Sequence, residues 1–233
     1  MDLLLLSNST APGRPYLAHA ADAVLELAAG RGPRVAFVPY ALADHDAYTR
    51  QVAEALAPLG LDVVGVHAGD PVEVVRDAGT VFVGGGNTFR LVDALHRTGL
   101  LDAVRAAVAG GTGYLGSSAG TNIAAPTLRT TNDMPIVEPP GFGTLALVPF
   151  QINPHYLDPV PGDLHQGETR EERIRQFHEE SAVPVVGLRE GTWLRRRDGV
   201  LTLGGSPAGA RLFRAGEPAV ELAAGADLSD LLR

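Results

Sequence analysis

The stretch Thr112-Gly113-Tyr114-Leu115-Gly116-Ser117-Ser118-Ala119-Gly120 decides how this chain is read. Residues 112–115 form an apolar run that reads as a short buried strand, and the residues around Gly120 can begin a helix. A serine with a glycine two residues to either side, at a strand-to-helix turn, fits the nucleophile elbow. The bend is too tight for Cβ atoms near the neighbouring backbone, and it lifts the Ser118 hydroxyl clear of the sheet. The frame selects Ser118 over Ser117. A small-residue turn whose serine does no chemistry is the competing interpretation.

Upstream of the elbow, strand and helix alternate. Residues 3–6 read as a first strand, and 16–29 as a helix with Leu17, Ala20, Ala21, Val24 and Leu27 at helical spacing. Strand 34–39, helix 44–59 with Asp44 as N-cap, strand 62–66, the proline-initiated helix 71–77 and strand 80–83 follow. Helices near 89–95 and over 101–108 then lead to the elbow strand. This order predicts an α/β fold, a mostly parallel sheet with helices on both faces. Ligands bind at the carboxyl ends of such strands. The turn Gly84-Gly85-Gly86-Asn87-Thr88 and the elbow both fall at that kind of position, so they are expected to share one cleft.

Beyond the elbow the alternation weakens. Residues 126–143 make a polar, interrupted loop holding Asn132, Asp133 and Glu138. An apolar run over 145–150 leads into Gln151-Ile152-Asn153-Pro154-His155, then a loop over 156–167 and a charged helix over 168–181. Short strands at 185–188, 192–194, 200–203, 211–213 and 219–222 close the chain, with Asp198-Gly199 as a hairpin signal. No internal repeat or linker divides the 233 residues, so a single domain over 1–233 is expected.

Two compositional absences narrow the chemistry. The chain has no cysteine, which removes disulfides, thiolate nucleophiles and most structural zinc sites. It has no lysine among 19 basic residues, which removes a Ser-Lys dyad, a Schiff base and a P-loop lysine. A formal charge of -8 with no basic block argues against nucleic acid and anionic membrane as partners. The apolar runs fall far short of a membrane span, and 3–6 is too short for a signal-peptide core, so a cytoplasmic location is expected. No metal-ligand spacing such as H-E-x-x-H occurs, and no metal site is expected.

If Ser118 is a nucleophile, its base should be a histidine. His155 follows Pro154 at the end of an apolar run, a rigid place from which a ring can reach a cleft. His19, His45, His67, His96 and His178 lie on expected helices or ordinary element ends, and His165 sits in a loop. The oxyanion donors expected are the N–H of Ala119, just after the nucleophile, and an N–H of Gly85 or Gly86. A phosphate cradle competes for the glycine turn, but Phe89 stands where the third glycine of G-x-G-x-x-G belongs, and no lysine follows.

Six blocks in order resemble the peptidase E family, the cytoplasmic α-aspartyl dipeptidases among serine peptidases. They are Leu3-Leu4-Leu5-Leu6-Ser7-Asn8-Ser9-Thr10, Val83-Gly84-Gly85-Gly86-Asn87-Thr88-Phe89, and Gly116-Ser117-Ser118-Ala119-Gly120-Thr121-Asn122, followed by three more. Those are Arg129-Thr130-Thr131-Asn132-Asp133-Met134-Pro135-Ile136-Val137, Gln151-Ile152-Asn153-Pro154-His155 and Gly167-Glu168-Thr169-Arg170-Glu171. Ser117 and Thr121 depart from the tryptophan and alanine expected in the family. The resemblance implies a fold similar to class I glutamine amidotransferases (flavodoxin-like), and hydrolysis of dipeptides with an N-terminal aspartate, without a cofactor. Ser118 would attack and His155 would take its proton. For the third member the resemblance offers an acidic residue matching Asp133, or a glutamate matching Glu190 as in the related cyanophycin-cleaving enzymes.

The chemistry asks only for a carboxylate that can bond the far imidazole nitrogen. Glu190, at the end of an apolar strand, is the better held of the two. Asp133, in a polar loop, suits the ammonium of a free N-terminal aspartate. The aspartate side chain needs a planar donor fork, which without lysine must be arginine. Arg170 is the first choice and Arg129 the second, with Asn87 of the glycine-rich block counted as a further substrate contact. A related hydrolase of β-aspartyl or cyanophycin-derived peptides, and a non-catalytic small-molecule binding module, are the rival functions. The oligomeric state, monomer or homodimer, is left open.

Overall fold

The computed structural model describes residues 1–11, 13–159, 162 and 167–233. His165 and part of the 156–167 loop lie outside the described residues. The first half runs β1 (Asp2–Leu6), α1 (Ala21–Ala28), β2 (Arg34–Val38), α2 (His45–Leu56), β3 (Asp62–Gly65), α3 (Pro71–Arg76), β4 (Thr80–Val83), α4 (Thr88–Arg97), α5 (Leu100–Ala109), β5 (Gly113–Ser117) and α6 (Ala119–Asn122). The second half runs β6 (Gln151–Pro154), α7 (Arg170–Glu180), β7 (Val185–Leu188), β8 (Thr192–Arg197), β9 (Val200–Gly205), β10 (Ala210–Phe213) and β11 (Val220–Leu222).

Seven strands form one sheet in the order β3-β2-β4-β5-β1-β8-β9; the first five are parallel and β8 and β9 are antiparallel. A second sheet runs β11-β10-β7-β6, parallel only between β6 and β7. The fold is thus α/β, with a mixed, mostly parallel main sheet and a small second one.

The four leucines of β1 show why the main sheet is covered twice. Leu3 and Leu5 join a core with Val75, Leu91 and Val104 of α3, α4 and α5. Leu4 and Leu6 face the other way, against Val24 of α1 and Val52 and Leu56 of α2. A strand with one wet face would alternate polar and apolar residues, and this one does not. All four are fully buried, each worth about 1.5–3 kcal/mol of gross apolar burial.

One element differs from its sequence reading. The segment 16–29 is helical only from Ala18, because Leu17 takes φ 60°, and it passes through one tight turn before α1. The apolar run 145–150 buries Leu145, Leu147, Val148 and Phe150 and is irregular, with Ala146 exposed at φ 50°. Its backbone N–H groups find acceptors at Ile123, Ala124 and Ala125, and Arg196 donates to Leu147 O at 2.7 Å, so no sheet ladder is needed. Strand pairing begins only at Gln151, in β6. No helix among the described residues is long and apolar enough to cross a membrane.

Candidate active site

The elbow leaves the carboxyl end of β5 between β4 and β1. Ser118 caps α6 with φ 52° and ψ -110°, a backbone that costs a residue with a side chain about 1–3 kcal/mol. Several bonds hold it there. Its N–H donates to Leu6 O at 3.1 Å, and its carbonyl accepts from Thr121 and Asn122 N–H at 2.9 Å each. Buried Tyr114 donates from its hydroxyl to Gly120 O at 2.6 Å. A Cβ at Gly116 would lie 2.7 Å from Gly120 O, and one at Gly120 would lie 2.1 Å from Val83 O, so neither position has room for alanine. Thr121 gives its hydroxyl to Leu6 O at 2.6 Å, whereas the Ser117 hydroxyl is buried without a partner among the described residues.

His155 and Glu190 come from the second sheet. They follow β6 and β7, parallel neighbours in which Pro154 pairs with Leu188, so both leave at the same end. His155 Nε2 lies 3.0 Å from Ser118 Oγ, and Nδ1 lies 2.7 Å from Glu190 Oε1. The two sheets are stitched together there by the end of β1. Ser7 donates to Leu188 O at 2.8 Å and accepts from His155 N–H at 3.0 Å, while Asn8 Oδ1 accepts from Gly191 N–H at 2.7 Å. His155 itself has φ 52°, a second strained residue fixed by these contacts.

Ser118 and His155 open onto a cleft of about 390 Å3 with Gly86, Ala119, Asn122, Asp133 and Arg170 in its walls. The glycine turn and the elbow therefore share one cleft. Larger hollows, about 590 Å3 behind Glu190 and about 760 Å3 beside Phe142, do not contain Ser118. Gly86 and Ala119 N–H have no protein acceptor among the described residues, which leaves them able to receive an oxyanion. Gly85 is corrected as a donor: its N–H is spent on Tyr48 Oη at 2.8 Å. A Cβ on Gly85 would press on Ser118 Cβ at 3.0 Å, so this glycine serves close approach.

Asp133 makes no contact with His155. Its Oδ2 accepts from Thr88 N–H at 2.8 Å and from the Thr88 hydroxyl at 2.6 Å, with Thr131 Oγ1 at 3.1 Å. The loop around it is pinned rather than loose, since Asn132 donates to Pro154 O at 2.8 Å and Asn87 donates to Met134 O at 2.9 Å. Arg170 begins α7, after the Thr169–Glu172 capping box. Burial, then the nearby Arg173, lowers its pKa, and Asp133 across the cleft opposes that shift.

Two other expected contacts are not in this cleft. Asn87 caps α4 by accepting from Arg90 N–H at 3.1 Å, so both ends of its amide are occupied by protein. Arg129 is exposed and lies over the Phe142 ring, 5.8 Å from its centroid, in the separate hollow beside Phe142. Among the described residues no group of three or more His, Asp or Glu could hold a metal ion.

Residues 3–204 match peptidase family S51. The chain belongs to peptidase family S51. It is 64% identical over 233 residues, all of this chain and 95% of the relative, to peptidase E of Streptomyces coelicolor. It is 49% identical over 235 residues, 100% of this chain and 98% of the relative, to a Drosophila melanogaster protein named "probable alpha-aspartyl dipeptidase". A crystal structure of a peptidase from an acI-B1 Actinobacterium shares the fold, with a TM-score of 0.71, 19% identity, and 97% of this chain and 96% of that chain covered.

Several residues of this S51 chain to which the sequence assigns no role support the cleft. Ser7 and Asn8 directly follow β1, Tyr48 lies on α2, Thr88 opens α4, and Tyr114 lies on β5. Asn122 lines the cleft while donating to Ile152 O at 2.9 Å. Thr88 carried the one readable signal, an expected helix start beside a polar loop. Ser7, Asn8 and Asn122 are polar residues at element ends, which sequence does not separate from ordinary caps, and Tyr48 and Tyr114 lie within elements where a tyrosine reads as core.

Proposed function

We propose that the chain is a single-domain cytoplasmic serine exopeptidase that hydrolyses dipeptides with an N-terminal aspartate through an acyl-enzyme, with no cofactor. The observation that carries this reading is the Ser118–His155–Glu190 hydrogen-bond chain, opening on a cleft that sets Asp133 near Arg170. The name of the Drosophila relative supports the same substrate class. We extend the fold reading likewise to a class I glutamine amidotransferase-like, flavodoxin-like arrangement, supported by the nucleophile turn between β5 and α6.

Ser118 Oγ attacks the scissile carbonyl as its proton passes to His155 Nε2. Glu190 fixes the ring through Nδ1 and stabilises the imidazolium that forms. The carbonyl oxygen gains charge and is received by the N–H groups of Ala119 and Gly86. His155 returns the proton to the leaving amine, and the second residue departs as a free amino acid. Water then attacks the acyl-enzyme with His155 as base, releasing aspartate.

Selection uses the opposite charges of the cleft. Arg170 offers two parallel N–H donors to the substrate's side-chain carboxylate, a geometry lysine cannot reproduce. Asp133 receives the α-ammonium with the oxygen that its threonine partners leave open. A longer chain extended at the amino end lacks that ammonium, which makes the reaction an exopeptidase step. Quenched reaction with Asp-Leu, followed by intact-mass and peptide mapping, is expected to find an aspartyl ester on Ser118 that is lost in His155→Ala. Turnover of Asp-Leu without any adduct, unaffected by Ser118→Ala, would sink the serine mechanism.

A further inference from the structure

We propose that Arg189 and Arg211, bridged by Asp158 and Glu221 and with Glu171 paired to Arg211, are positioning residues that hold His155, Glu190 and Arg170 in one arrangement. The inference rests on the proposed function above. Arg189 donates from Nε and Nη2 to the two oxygens of Asp158 at 2.7 Å each, and from Nη1 and Nη2 to Glu221 at 3.0 and 3.1 Å. Arg211 donates from Nη1 to Glu171 at 2.8 Å and to Tyr156 Oη at 3.3 Å. Its Nε lies 3.0 Å from Glu221 Oε1 but out of line for a hydrogen bond, so that contact is an ion pair only.

Three residues at the cluster stand next to a residue of the catalytic site in the chain. Arg189 directly precedes Glu190, Tyr156 directly follows His155 and Glu171 directly follows Arg170. Asp158 lies on the loop that leaves His155. Arg211 and Glu221, on β10 and β11, touch no residue of the cleft, yet they join all three segments. The two guanidinium side chains are 16% and 20% exposed, so screening by solvent is limited where the forks close. Arg189 holds the Asp158 carboxyl below the usual aspartate range, which keeps this acid charged and paired.

Fork-to-fork pairs of this kind fix direction as well as distance. A half-buried ion pair adds little net stability, because desolvation offsets most of the attraction. Orientation is what the cluster supplies. His155 needs it because its backbone is strained and is tied on its amino side by Ser7, while the arginines hold its carboxyl side through Tyr156 and Asp158.

The test uses the full chain and Asp-Leu hydrolysis. Arg211→Met frees Glu171 and hence Arg170, so KM is expected to rise about tenfold with kcat within about twofold of the parent. Arg189→Met frees Glu190, so kcat is expected to fall about tenfold with KM within about twofold. Combined with Arg170→Ala, Arg211→Met should add less than about twofold in kcat/KM, because both act through one contact. If either arginine variant fails to fold, Glu171→Gln is expected to carry the KM effect and Asp158→Asn the kcat effect, each in smaller measure.

Variants that lose thermal stability but keep the parent's kcat and KM would overturn the proposal, and so would full additivity of Arg211→Met with Arg170→Ala. A parent that leaves Asp-Leu intact would instead defeat the proposed function, and the positioning role with it.

Discussion

Replacing Glu190 with glutamine keeps an acceptor beside His155 but removes the charge, and the structure sets how much that should cost. Glu190 Oε1 lies 2.7 Å from His155 Nδ1, so the imidazolium formed during attack faces a full negative charge about 4 Å from its centre. That attraction is about 1 kcal/mol in water and about 4 kcal/mol at the effective dielectric of a protein surface. The side chains of His155 and Glu190 are 39% and 51% exposed, which places the pair in the lower part of that range. A loss of about 1–2 kcal/mol corresponds to a kcat about 5- to 30-fold lower. This is far less than the roughly 10⁴-fold typical when a buried triad aspartate becomes asparagine. KM should barely move, since Glu190 touches the base and not the substrate. Steady-state kinetics on Asp-Leu at fixed ionic strength read both parameters. An unchanged kcat in Glu190→Gln, together with abolished turnover in Asp133→Asn, would refute the reasoning and move the third member to Asp133.

Other perturbations test separate steps. Gly120→Ala drives a Cβ to 2.1 Å from Val83 O, a clash with backbone that cannot swing aside; the cost should reach about 3 kcal/mol or more, read as a lowered urea midpoint or as insoluble protein. Ser118→Gly should be inactive but about 1 kcal/mol more stable than Ser118→Ala, because glycine accepts the φ of 52° that alanine must strain to adopt. The depressed folded-state pKa of Asp158 contributes stability above the ordinary aspartate range, and this is lost as pH falls through the folded value. Urea midpoints followed from about pH 6 to about pH 3 should therefore fall less steeply for Asp158→Asn than for the parent.

The α/β alternation and the elbow were legible because they are local. Four consecutive leucines in β1 announce a strand covered on both faces, and glycines two residues either side of Ser118 announce the tight turn. The pairing of Glu190 with His155 was not local: it depends on β6 and β7 lying side by side although 30 residues separate them in the chain. Asn87 misled because its place in a glycine-rich block looked like a ligand contact. An asparagine directly before a helical run is equally a cap, and the cap is what the fold uses. Gly85 misled for a different reason, since only the fold brings the Tyr48 hydroxyl of α2 against its N–H. Arg129 and Arg170 are the same residue type, one in the polar loop and one at the start of the charged helix α7. Burial beside Asp133 separates them, and no sequence pattern carries that.

The most direct test of the account is the ratio of kcat/KM for Asp-Leu and Ala-Leu with the unaltered protein. Ala-Leu keeps the ammonium for Asp133 and the scissile bond for Ser118, and it lacks only the carboxylate for Arg170. A charged fork left without its partner in a half-buried cleft should depress kcat/KM by about 10²-fold or more, so Asp-Leu is expected to be cleaved and Ala-Leu nearly untouched. Equal cleavage of the two dipeptides would contradict the account.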